Sequence, residues 1–206
     1  MCGAVATDMR LKMKDLQRQE AAGARDDEER ALLDRIGAGD RVAITELYAR
    51  YHARLFKFVY RITRSHSASD ETVNDIMLAV WRGARNFRGD SKPSTWIFGI
   101  AYRQCLKRLS RRQLSILPTD PDALGDGATG QLEHEDWVRK GIESLPAAQR
   151  LTVLLVFYAG LSYDEVAAAT DCPVNTVKTR MYHARRKLKA RLRESAGAQA
   201  PGGKLE

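Results

Sequence analysis

The sequence predicts an all-α protein of two small helical domains joined by a flexible linker, the C-terminal one carrying a helix-turn-helix. Three observations predict it. Apolar residues recur at spacings of three and four along most of the chain, the period of an α-helix. Strand-like alternation is weak throughout. A stretch at 113–134 with three glycines and two prolines breaks the helical pattern and reads as a linker.

Residues 1–30 open with mixed polar and Ala-rich sequence and no sustained period, which predicts a disordered arm. The first domain spans 31–112. From about Asp40 onward, Ile44, Leu47, Tyr48, Tyr51, Leu55, Phe58, Val59 and Ile62 give its opening helix a broad core-facing stripe. A Ser/His-rich turn at 65–69 precedes a second helix with Val73, Ile76, Met77, Val80, Trp81 and Ala84 in the same pattern. A polar loop follows at 86–93. Ser94 or Thr95 is the expected cap of a third long helix, with Trp96, Ile97, Ile100, Ala101 and Leu109 inward. Beyond the linker, 135–193 is expected to be a four-helix unit, and 194–206 a disordered tail.

The most informative stretch is Leu161–Leu188. Ser162 and Glu165 have the spacing of a capping box, and Pro173 marks the start of a second helix. There Val174, Val177, Met181, Ala184 and Leu188 share one face. Asn175, Thr179, Tyr182 and Arg186 occupy the opposite face, flanked by Lys178 and His183. Asn175 to Arg193 holds eight Lys or Arg and no acid. An apolar back with this front suits a DNA major groove, where such side chains meet base edges and phosphates.

Charge is also segregated elsewhere. The net charge of +8 and pI near 9.6 favour a polyanionic partner. Lys92, Arg103, Lys107, Arg108, Arg111 and Arg112 fall in a stretch without acids, whereas Asp120, Asp122, Asp126, Glu133, Glu135 and Asp136 make the linker acidic. Asp70, Glu71 and Asp75 form a third patch on the outer face of the second helix. Two basic surfaces and an acidic tether fit a protein that touches DNA at two places, leaving the acidic helix face for another partner. Around the loop, aromatic and basic residues interleave (Phe87, Arg88, Lys92, Trp96, Tyr102, Arg103), as in platforms that stack unpaired bases. Trp96 divides evenly between core and surface, while Tyr102 and Arg103 lie off the inner stripe and are expected to make contacts.

Several function classes find no support. No Gly-rich phosphate loop, metal-ligand pair or nucleophile–base–acid set is present, so neither an enzyme nor a metal or other cofactor is expected. Cys2, Cys105 and Cys172 are odd in number and widely spaced, which suits free thiols in a reducing cytoplasm. No apolar run approaches the roughly 18 residues of a membrane span, so direct membrane insertion is not expected. A two-domain regulator of the LuxR type would need a receiver or ligand-binding half, and the α/β alternation of a receiver is missing. A DNA-packaging protein would leave the acidic 70–75 face unexplained.

Ser69–Trp81 resembles the region 2 helix of bacterial extracytoplasmic-function (ECF) sigma factors, the smallest members of the sigma-70 family. Ser94–Ala101 and the basic run to Arg112 resemble their promoter-melting segment. Glu143–Arg150 and Leu161–Leu188 are similar to region 4. The resemblance covers roughly 40–112 and 135–193.

It implies a role in transcription initiation, with core RNA polymerase (the β′ coiled coil and the β flap), promoter DNA and an anti-sigma factor as partners. It also implies control in a stress or envelope response. Asp70, Glu71, Asn74 and Asp75 would dock on the β′ coiled coil. The loop at 86–93 would capture a flipped base of the −10 element. Asn86, Arg88, Asp90, Ser91, Lys92, Trp96, Tyr102, Arg103, Lys107 and Arg108 would then form the −10 and melting surface. Asn175, Thr176, Lys178, Thr179, Arg180, Tyr182, His183 and Arg186 would read the −35 element. The linker would run toward the polymerase active site and RNA exit, its acids mimicking nucleic acid. Arg103 and Lys107 depart from the family, which often has Asn and Asp there, so a relative's promoter preference does not transfer.

Overall fold

The structure, a computed structural model, describes residues 2–114 and 139–198, with side chains placed for Gln17, 20–111 and 139–191. Every regular element among them is helical. The N-terminal unit comprises α1 (Cys2–Gly37), α2 (Arg41–Thr63), α3 (His66–Gly83), a 3₁₀ turn (Ala84–Asn86) and α4 (Pro93–Leu114). The C-terminal unit comprises a helical stretch at 139–143, α5 (Ala147–Phe157), α6 (Tyr163–Thr170) and α7 (Val174–Ala198). Most of the expected linker, 115–134, lies outside the described residues.

The arm expected to be disordered is helix instead. Its residues are mostly strong helix formers (Ala, Leu, Lys, Arg, Gln, Glu), which sustain a helix without an apolar stripe. Its last turns then anchor it: Leu32, Leu33 and Ile36 are buried. Glu29 is buried too, where the Tyr51 hydroxyl donates to its carboxylate. The first part of the expected tail, 194–198, departs in the same way, because α7 continues through Ala198, while 199–206 lie outside the described residues.

Helix ends follow local chemistry. Asp40 caps α2 by accepting from the amides of Val42 (2.8 Å) and Ala43 (3.2 Å). Arg35 bonds the same carboxylate at 2.6 Å, and together these contacts hold Asp40 below its ordinary pKa. Ser65 caps α3. The expected cap of α4 at Ser94 or Thr95 is displaced: Pro93 is the first helical residue, and the Trp96 amide donates to the Lys92 carbonyl at 3.1 Å. Thr95 is buried, and its hydroxyl has no partner among the described residues.

One apolar cluster runs through both units, and α4 is the wall they share, packed on α3 at one side and α6 at the other. This explains a second correction. Tyr102, expected to make outward contacts, is 6% exposed, and Ile97, Phe98, Ile100, Ala101 and Cys105 are buried around it. A helix covered on two sides buries more than one stripe. Where α4 crosses α6, a β-carbon on Gly99 would lie 2.9 Å from the Ala169 carbonyl oxygen, so only glycine permits this approach. Burial pushes the Cys105 thiol up to about 12.

Candidate nucleic-acid interface

The helix-turn-helix is built as its sequence suggests. Ser162 accepts from the Glu165 amide at 3.2 Å, and the Glu165 carboxylate accepts from the Ser162 amide at 2.8 Å. The Pro173 carbonyl receives the amides of Thr176 and Val177, which starts α7 at Val174. Val177, Met181 and Ala184 are buried, and Val174 and Leu188 pack against them.

That burial leaves Asn175, Lys178, Thr179, Tyr182, His183 and Arg186 exposed. Tyr182 is 61% exposed and meets the His183 ring edge-on at 5.4 Å. The Thr179 hydroxyl is occupied by the Asn175 carbonyl (2.9 Å), which leaves its methyl and an oxygen lone pair for contact. Thr176 and Arg180 are only half-exposed; Arg180 reaches back to the Cys172 sulfur at 3.7 Å.

The second surface combines the loop after α3 with α4. Asn86, Arg88, Asp90, Lys92, Arg103 and Lys107 are exposed, while Ser91, Trp96 and Arg108 are partly buried. Trp96 sits between the two readings the sequence allowed. It packs against the core, and its ring lies 5.3 Å from Phe87.

On α3, Asp70, Glu71, Asn74 and Asp75 are all exposed, with Leu78 (46% exposed) on the next turn. Their bases are braced from α2: the Tyr48 hydroxyl donates to Asn74 Oδ1 at 3.2 Å, and His52 lies 3.7 Å from Asp70. Tyr48, His52, Phe56 and Tyr60 make successive ring contacts along α2, and His66 closes the row. The structure also joins residues that sequence reasoning assigned to different surfaces. Arg108 Nη1 lies 3.5 Å from Glu71 and donates to the Thr72 hydroxyl at 3.3 Å.

Contacts between the units were not foreseen. Lys92 pairs with Glu165 at 2.9 Å. Arg64 pairs with Glu143 at 3.3 Å, Arg54 donates to the Ala159 carbonyl at 3.1 Å, and Arg61 stacks on Tyr158 at 4.6 Å. Hydrogen bonding to Glu165 raises the Lys92 pKa. Burial pushes Glu165 up, but its bonds to Lys92 and Ser162 outweigh this and the net shift is downward. Arg54 and Arg61 sit seven residues apart on α2, and Arg64 caps its C-terminus in a left-handed conformation, a basic series that could have flagged this face. Among the described residues no three His, Cys, Asp or Glu gather as a metal site, and no helix is long and apolar enough to cross a membrane.

The family described as Sigma-70 region 2 matches residues 47–114, and the family described as Sigma-70, region 4 matches 135–188. The ECF RNA polymerase sigma factor SigM of Mycobacterium tuberculosis is 35% identical over 156 residues, covering 73% of this chain and 78% of that protein. The ECF RNA polymerase sigma-E factor of Escherichia coli is 31% identical over 173 residues, covering 76% and 90%. Two solved structures share the fold. CnrH in complex with the cytosolic domain of CnrY superposes with a TM-score of 0.61 at 23% identity, covering 81% of this chain and 97% of that one. The sigma factor RpoE in complex with the anti-sigma factor NepR from Bartonella quintana gives 0.60 at 24% identity, covering 72% and 96%.

Proposed function

Because the chain belongs to the ECF sigma factors of the sigma-70 family, we propose how its surfaces divide the work of directing transcription initiation. The region 2 unit, 31–112, binds core RNA polymerase and melts the −10 element. The region 4 unit, 135–193, reads the −35 element. The observation that carries this division is the isolation of an exposed acidic face on α3 from the basic front of α7. A basic front suits phosphate and base edges, whereas an acidic face repels DNA and suits a cationic protein surface.

Asp70, Glu71, Asn74 and Asp75 dock on the β′ coiled coil. The loop 86–93 captures a base, and Trp96, Arg103, Lys107 and Arg108 hold the opened strand. Unstacking a base costs a few kcal/mol, which a receiving pocket offsets. On α7, Asn175, Thr179, Tyr182 and Arg186 face the −35 bases, while Lys178 holds phosphate. The role of the chain is binding, without catalysis of its own. The β flap is the expected second contact on polymerase. An anti-sigma factor is the expected regulator, in line with the complex of RpoE and NepR.

The closed arrangement of the two units bears on the order of events. The −10 and −35 elements are about 25 base pairs apart by name, about 85 Å of duplex at about 3.4 Å per pair. The two units meet at the Lys92–Glu165 pair and the Gly99–Ala169 crossing, and we infer that they part when the chain engages both elements.

The test is in vitro transcription with core polymerase and a library of promoters. Selective initiation from sequences sharing −35 and −10 elements supports the assignment. Failure to bind core polymerase, or initiation without such preference, sinks it.

A further inference from the structure

We propose that Arg30, on α1 and outside both DNA-reading segments, is a positioning residue that sets the shape of the base-capturing loop. The proposal rests on reading 86–93 as that loop. Arg30 Nη1 donates to the Gly89 carbonyl at 3.0 Å, and Nη2 donates to the Ser91 carbonyl at 3.3 Å. The guanidinium carbon lies 6.0 Å from the centre of the Phe87 ring, which packs in turn on Trp96. One cation therefore engages residues 87, 89 and 91.

That alternation has a consequence for the residues between them. Phe87, Gly89 and Ser91 are partly buried, whereas Arg88 and Asp90 are exposed. Drawing every second residue inward presents Arg88 and Asp90 outward, where a captured base would meet them. Gly89 makes the path possible: its φ is +77, and a β-carbon there would lie 2.7 Å from Arg30 Nη1. The anchor is rigid, because Leu32, Leu33 and Ile36 fix the same end of α1 in the core. The planar fork of a guanidinium reaches two carbonyls at once; an ammonium of equal charge is a point donor and does not reproduce it.

The test uses holoenzyme assembled from core polymerase and the full chain, on promoters with a pre-melted −10 region and 2-aminopurine at the captured position. Arg30→Ala and Arg30→Lys should each lower discrimination among the four bases there by about tenfold, the scale of one lost charge-assisted hydrogen bond. The 2-aminopurine response should fall in parallel. Core affinity, −35 duplex binding and melting temperature should stay at parental values. Parental discrimination by Arg30→Lys would reduce the role to charge and overturn the proposal. So would parental discrimination by both variants while Arg88→Ala or Asp90→Ala lowers it. A parallel loss of −35 binding and melting temperature would make Arg30 a residue of the fold alone, against the proposal. If Arg88→Ala and Asp90→Ala themselves leave discrimination intact, the reading of the loop fails first and the proposal falls with it.

Discussion

The carboxylate of Glu165 serves two units at once: it accepts from the Ser162 amide to cap α6, and it pairs with Lys92 at the head of α4. A residue that orders the helix-turn-helix thereby also holds a cation of the opposite DNA-reading surface.

Closure should depend on pH at both ends. The folded pKa of Glu165 is depressed from 4.5, so its contribution is complete above that value and is lost as pH falls through the folded pKa. Lys92 is raised from 10.5, so its contribution is complete below that value and is lost as pH rises through the folded pKa. The distance between fluorophores on the two units should be flat between these limits and lengthen outside them. Glu165→Gln should flatten both limbs; a parental profile in that variant would remove the pair from the account.

Gly99→Ala should pry the units apart. The new methyl would meet the Ala169 carbonyl oxygen at 2.9 Å, and that oxygen belongs to backbone that cannot swing aside. The substitution favours helix α4 itself by roughly 0.5–1 kcal/mol, so unfolding is not the expected response. Small-angle scattering should show a larger radius with unchanged helical content. An unchanged radius would mean that the crossing yields elsewhere.

Asn74→Ala combined with Asp75→Arg should abolish binding to core polymerase and leave circular dichroism unaltered. Both side chains are exposed, and the charge reversal sets like against like at a polar interface, at a cost of several kcal/mol. Removing Asn74 also frees the Tyr48 hydroxyl, which is exposed enough to bond water. Unchanged affinity would move the docking face elsewhere.

On α7, Lys178→Ala should weaken DNA binding about equally across sequences and lower its salt dependence. Asn175→Ala should instead change preference at one −35 position by about 1–3 kcal/mol. Thr179→Ala should have the smaller effect of the two front positions, because its hydroxyl proton is already bound to the Asn175 carbonyl. Library selections on the three variants decide this; a common profile would refute the division.

Sequence periodicity read α2, α3 and α7 well because each hides one face and solvates the other. Ser162 and Glu165 also signal their capping box at a spacing of three. α4 was harder, since it packs on α3 at one side and on α6 of a second unit at the other, and no local pattern announces that second cover. The inward end of α1 was missed for a related reason. Leu32, Leu33 and Ile36 form too short a stripe to stand out within a long polar helix. Arg30 gives no local signal at all, because its partners lie 59 and 61 residues away. The exposed front of α7 and the acids of α3 were legible, but their cross-ties through Tyr48, His52 and Arg108 are tertiary.

Cys105 bears on how the chain can be labelled and how it withstands oxidants. Buried with a thiol pushed up to about 12, it carries almost no thiolate at neutral pH, and oxidation and alkylation both proceed through the thiolate. It is a silent cysteine. Replacing Cys2 and Cys172 would leave a chain in which a cysteine introduced on the surface reacts selectively with a maleimide dye, while the thiol at the centre of α4 stays unmodified.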